Sequence, residues 1–175
     1  MSVTLTTKPT LAERVQELTQ RAPRRMTPAI ARELGVPEAE VIAHLPDARS
    51  TALELSQWEA IIRDFERLGK VHVVCNTGVV VLESFGTFGN FSTVGDFFNV
   101  QTKIDMHIRY KELGSVYAVI KPGHMDGKKT LSFQFFTRKG DSAFKVFLTF
   151  GGKDPNSEQE AIFSELVDKY RIQVA

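Results

Sequence analysis

The sequence predicts an α+β fold: short N-terminal helices and a covering helix, followed by a largely antiparallel β-sheet and a C-terminal helix. Two observations carry this expectation. Apolar residues recur at helical spacing as far as Leu68 and change to strand-like runs from Lys70 onward. Short turn-forming connections separate those runs, which favours antiparallel pairing. With 175 residues, 42% hydrophobic and 25% charged, the chain can bury one sizeable core. It reads as a single domain over 1–175, with a helical subdomain at 10–46 and an α+β core at 53–170.

Thr10 followed by Glu13 forms a capping box that opens a helix through about Arg21, with Leu11, Val15 and Leu18 on one stripe and Pro23 after its end. Thr27 with Pro28 starts a second helix, which Gly35 stops, and Pro37 starts a third that carries Val41, Ile42 and Leu45 to Pro46. A polar connection follows. Trp58, Ile61, Ile62, Phe65 and Leu68 then mark a fourth helix ending at Gly69, expected to cover a sheet.

VHVVC and VVVLES, joined through Asn76-Thr77-Gly78, read as a hairpin whose register the turn does not fix. Phe85 to Gly95 mixes Phe with Gly and small polar residues and is expected to be irregular. Strands are expected near Phe97–Val100, Ile104–Tyr110, Val116–Lys121, Thr130–Thr137 and Ala143–Phe150. The last helix is expected from about Asn156 to Tyr170, with Ser157 and Glu160 as its capping box.

Composition excludes several functions. Lys and Arg number 22 against 21 Asp and Glu, so the net charge of +1 provides no whole-protein attraction to nucleic acid or anionic lipid. The single cysteine, Cys75, rules out an internal disulfide and every multi-cysteine zinc pattern. MSVTLTTKPTLAER lacks the apolar stretch of a signal peptide, and no later run approaches membrane-spanning length. A cytoplasmic location is the expectation. No internal repeat, low-complexity run, or phosphate-cradling glycine motif occurs.

TPAIARELGVPEAEVIAHLP has the rhythm of a helix-turn-helix. Its second helix offers Glu38 and Glu40 and no base, so phosphate would repel it despite Arg24, Arg25 and Arg32 nearby. A helical packing module is the better reading. Among the histidines, His72 and Cys75 lie three apart, on opposite faces of a strand, and make no site together. His44 and His124 read as structural or exposed.

His107 is different. In Asp105 to Tyr110, Asp105, His107 and Arg109 share one strand face while Met106, Ile108 and Tyr110 share the other. An imidazole and a guanidinium pointing the same way suit a ligand with a metal or aromatic centre and anionic arms. A lone histidine on a polar strand face is also commonly just solvated. The chain has 13 Phe, and they concentrate after Phe85. Most belong to a core, as Phe144, Val146, Leu148 and Phe150 on one strand face require, but Phe85, Phe88, Phe91 and Phe147 are candidates for an apolar cleft.

The stretch VVLESFGTFGNFSTVGDFFNVQTKIDMHIRYKELGSVYAVIKP, with LSFQFFTRKGDSAFKVFLTF after it and RELGVPEAEVIAHLP before it, resembles the HutX/ChuX family of cytosolic heme-utilization carriers. These are single-repeat relatives of the two-repeat HemS/ChuS heme proteins. The most specific strings are DFFN, MHIR and KGDSAFKVFL, and the likeness runs from about residue 10 to 170. It implies a HemS/ChuS/ChuX-like half-fold and a cytoplasmic protein for heme trafficking, storage or transfer, often a homodimer, with a downstream heme-degrading protein as a possible recipient.

The family's strand histidine maps onto His107, the expected ligand of heme iron. Its hairpin histidine maps onto Asn76, or onto Cys75 under a shifted alignment, and the chain departs from the family there. His107 alone, with Cys75, or with water are all open. Arg109 or Lys145 would meet a propionate, and Phe85, Phe88, Phe91 and Phe147 would shield the porphyrin. No catalytic residue, nucleic-acid partner or membrane partner is expected. The rival readings are a heme-degrading enzyme using an external reductant and, behind it, a helix-turn-helix regulator.

Overall fold

In a computed structural model, residues 8–149 and 153–173 are described. The N-terminal part is three helices, α1 (Leu11–Arg21), α2 (Thr27–Leu34) and α3 (Glu38–Ala43). The Thr10–Glu13 capping box forms, satisfying N–H groups that the first turn would otherwise leave open. Gly35 ends α2 in the left-handed region at φ 67°, where a Cβ would be strained.

A short strand β1 (Ser50–Leu53) follows, then α4 (Trp58–Asp64), flanked by single 3₁₀ turns at Leu55–Gln57 and Phe65–Leu68. The strands β2 (Val71–Asn76), β3 (Val81–Gly86), β4 (Phe91–Val94), β5 (Phe97–Gln101), β6 (Asp105–Arg109), β7 (Leu113–Pro122), β8 (Lys129–Thr137) and β9 (Ser142–Phe147) precede α5 (Ser157–Tyr170).

All strand pairs are antiparallel, but they make two sheets: a six-stranded one in the order β1-β7-β8-β9-β2-β3 and a three-stranded one in the order β4-β5-β6. The polar connection before Trp58 contains β1, whose pairing with β7 is a long-range contact that local pattern does not announce. The segment expected to be irregular holds the end of β3 and all of β4. The C-terminal capping box uses Asn156 and Gln159, one residue before the expected pair. Phe150, placed by pattern in the last strand, lies outside the described residues, as do residues 1–7.

The main sheet is apolar on both faces, so both must be covered. Its inner face presents Val73, Phe133, Phe135, Phe144 and Val146 to Phe65 and to Phe163 and Leu166 of α5. Phe65 packs on Phe133 at 4.9 Å and edge-on to Phe88 at 5.3 Å, and burial of each such ring contributes roughly 1.5–3 kcal/mol. Trp58 meets Phe98 of the small sheet edge-on at 5.2 Å. The helix α4 therefore separates the two sheets.

The outer face presents Val119 and Phe136, and α1–α3 cover them with Val15, Leu18, Ile30, Val41 and Ile42. Glu38, first residue of α3, is not a solvated carboxylate but is buried. It accepts hydrogen bonds from Lys145 Nζ of β9 and Thr27 Oγ1, each at 2.5 Å. Removing one partner of such a buried pair is costly because the other charge stays desolvated. The contact locks α3 onto the sheet and removes Lys145 from the set of groups that a ligand could meet.

Lys121, on the same covered face, donates to Arg25 O at 3.4 Å. Burial, reinforced by the neighbouring Lys145 ammonium, pushes it down from 10.5 to about 8. A lysine whose folded value lies below its unfolded one destabilises the fold while charged in both states. Stability should therefore rise as pH climbs from about 8 towards 10.5, on the order of 1–3 kcal/mol in total. Lys121→Met should flatten that rise in urea titrations across this pH range; an identical pH slope in the variant would assign the effect to other groups.

Candidate functional site

Between the inner face of the β2–β3 hairpin and the free edge of β6 lies a half-open cleft of about 380 Å³, within the size range of small-molecule sites. Val73, Cys75, Leu82 and Ser84 come from the hairpin, and residues Ile104 to Arg109 line the opposite side. Phe144, Leu113 and Thr137 also border it. Because β6 is an edge strand, side chains from both of its faces reach the cleft. Gly86 permits this close approach: a Cβ there would stand 3.1 Å from Ile104 Cγ1.

The small sheet divides its faces sharply. Phe98, Val100, Ile104 and Ile108 face the core and are buried. On the other face Ser92, Asn99 and His107 lie in one cross-strand row, with Phe97 and Arg109 in the next. The His107 side chain is 58% exposed, so its ring is open to solvent. Its Nδ1 lies 2.7 Å from Asn99 Oδ1, an oxygen that can only accept. With its proton on Nδ1 to meet that oxygen, a neutral His107 would keep the Nε2 lone pair for a ligand. Asp105 Oδ1 is 3.8 Å from that Nε2. The Arg109 guanidinium lies over the Phe97 ring, 5.4 Å from its centroid.

Cys75 shares the cleft with His107, and burial pushes its thiol above its ordinary value. It borders the cleft as a neutral, half-buried thiol. Asn76 is on the opposite face of β2 and builds the hairpin turn, its Oδ1 accepting from the Gly78 N–H at 2.8 Å. Of the two hairpin candidates, Cys75 alone borders the cleft.

The aromatic wall expected from sequence is not assembled. Phe88 is buried in the core against Phe65. Phe91 stacks on Phe98 at 5.7 Å beneath the Arg63 guanidinium. Phe85 and Phe147 lie on the outer face around His72, whose ring stacks on Phe85 at 4.5 Å. His72 Nε2 is 3.1 Å from Glu83 Oε1, and burial lowers its pKa while Glu83 opposes the shift. Lys145 is bound to Glu38, as described above.

The apolar lining is instead chiefly aliphatic: Val73, Leu82, Ile104, Met106, Ile108 and Leu113, with Phe144 as the one ring. The alternation in VHVVC contained the signal for Val73 and Cys75, but Leu82 depended on the hairpin register. Among the described residues no group of three or more His, Cys, Asp or Glu could hold a metal ion, and no helix is long and apolar enough to cross a membrane.

The family described as Haem utilisation ChuX/HutX matches residues 51–166. The intracellular heme transport protein HutX of Vibrio cholerae is 23% identical over 168 residues, covering 94% of this chain and 83% of that protein. A protein of Erwinia carotovora has a similar solved structure, with a TM-score of 0.82, 23% identity, and coverage of 94% of this chain and 100% of that one. The heme degrading enzyme ChuS of Escherichia coli O157:H7 shares the fold with a TM-score of 0.75 at 23% identity; 89% of this chain matches 45% of that longer chain.

Proposed function

This chain belongs to the ChuX/HutX haem utilisation family, and on that basis we propose that it binds heme in the cytoplasm and passes it to another protein. The observation that carries this reading is the His107 imidazole, open to solvent at the mouth of an aliphatic cleft with Nδ1 turned to Asn99 Oδ1. Heme supplies four equatorial nitrogens, so one protein imidazole is enough to hold its iron. The aliphatic lining takes part of the porphyrin out of water. Arg109, next but one on the same strand face, meets a propionate as a charge-assisted pair.

The V. cholerae relative is named an intracellular heme transport protein, and a transport role suits a half-open site. A single strong ligand leaves the second axial position of the iron to water, to Cys75, or to a group of the receiving protein. A downstream heme-degrading protein is the natural recipient.

The chain acts as a homodimer in this proposal. It matches a little under half of ChuS, and β3 forms an open end of the six-stranded sheet. Val81 and Leu82 of that strand are 56% and 66% exposed. An apolar edge strand of this kind is a template for pairing with a second copy. The regulator reading loses support, because Glu38 of the would-be recognition helix is buried against the sheet.

Hemin titration followed at the Soret band tests the site. His107→Ala should weaken binding by at least about tenfold, the equivalent of 1.4 kcal/mol or more; an unchanged affinity and spectrum would remove His107 from the site. Incubating the complex with ascorbate in the presence of catalase should leave the Soret band intact, whereas its loss with a biliverdin-like product would make the protein an enzyme. In sedimentation, the wild type should run as a dimer and Val81→Lys as a monomer, and a monomeric wild type would dismiss the edge pairing.

A further inference from the structure

His107 stands on an edge strand with its ring in water, where an imidazole is ordinarily free to exchange tautomers and rotamers. Neutral imidazole left to itself favours the proton on Nε2, the nitrogen that a ligand at the cleft needs bare. Something in the fold must oppose that preference.

Asn99 is placed to do so. It sits on the central strand of the small sheet between Phe98 and Val100, both fully buried, and its own side chain is buried at 5% exposure. Its Oδ1 accepts from His107 Nδ1 at 2.7 Å, and its Nδ2 donates to Ser92 Oγ at 3.1 Å. Ser92 in turn donates its hydroxyl proton to Gln101 Oε1 at 3.2 Å.

These bonds form a directed chain. With the Ser92 proton committed to Gln101, Ser92 Oγ acts as acceptor towards Asn99, so the Asn99 amide presents nitrogen to Ser92 and oxygen to His107. A flipped amide would set two acceptors, Oδ1 and Ser92 Oγ, against each other and offer His107 a donor. The ring would then have to carry its proton on Nε2.

We propose that Asn99, held by Ser92 and Gln101, is a positioning residue that selects the Nδ1–H tautomer of His107 and fixes its ring plane, and so controls how tightly the cargo is held. This rests on the heme-carrier reading for its consequence, but the tautomer itself is a property of the protein without cargo. Histidine ligands are commonly oriented through their second nitrogen by a carboxylate, a carbonyl or water. Here a buried side-chain amide supplies the acceptor. An amide polarises the ring less than a carboxylate would, which leaves the iron bond weaker and release easier.

Long-range proton–nitrogen correlation spectra of histidine-labelled apoprotein, recorded at alkaline pH, read the tautomer directly. Wild-type His107 should show a protonated Nδ1 and a bare Nε2. Asn99→Leu should shift the population towards Nε2–H, and Asn99→Asp, which keeps an acceptor, should restore Nδ1–H. Ser92→Ala, which removes only an oxygen, should give a partial shift while leaving the fold intact should Asn99→Leu unfold.

In stopped-flow transfer of hemin to apomyoglobin, Asn99→Leu should release hemin about tenfold or more faster than wild type, and Asn99→Asp more slowly than wild type. An Nε2–H tautomer in the wild type, or wild-type tautomer and release in both Asn99→Leu and Ser92→Ala, would overturn the proposal. If His107→Ala and wild type release hemin alike, the carrier site is elsewhere. The tautomer spectra still decide what Asn99 does.

Discussion

The unpaired edge of β6 is the constraint on which the rest of this molecule depends. A strand inside a sheet offers a ligand only its side chains on one face. An edge strand offers both faces and its own rim, and here that rim borders a cleft. Keeping the edge open requires the small sheet to end at three strands and to stand away from the main sheet. Trp58 and Phe65 accomplish this from α4 and the turn after it: the first meets Phe98 of the small sheet, the second Phe133 of the large one.

Covering the main sheet on its far side has a similar logic. Val119 and Phe136 would otherwise be exposed, and α1–α3 remove them from water. The Glu38–Lys145 pair adds little net stability over a well-packed apolar contact of the same shape. Its weight lies in the cost of breaking it, because either partner alone would leave the other charge buried and unpaired. The acidic face that excludes DNA in the sequence is, in part, this fastening.

Local chemistry was legible where one residue type decides the outcome. The Thr10 cap, the Gly35 stop, the aliphatic stripe of α4 and the exposed face of Asp105, His107 and Arg109 all follow from spacing alone. Tertiary choices were not. β1 is four residues long and acquires its identity only by pairing with β7. The phenylalanines scatter among layers for a related reason, since periodicity states which face a ring occupies and not which layer that face meets. Phe88 lies in the core and Phe85 on the outer face, although both fall in one glycine-bearing stretch. The Asn99 contact to His107 needed the register of β5 against β6, which no turn motif in the sequence specifies.

The hairpin departure from the family pattern gains a physical meaning from the register. In β2, Cys75 and Asn76 are adjacent and therefore face opposite ways, so only one of them can replace a side chain that points into the cleft. Of the two, Cys75 borders the cleft, and burial pushes its thiol above its ordinary value. A neutral thiol is a poor iron ligand, because the thiolate is the form that coordinates. On the proposed reading the hairpin side of the cleft thus contributes apolar surface and a latent donor, while the β6 side contributes the imidazole. On that same reading, such asymmetry would leave room on the hairpin side for an incoming ligand from a receiving protein, as handing over a cargo by ligand exchange requires.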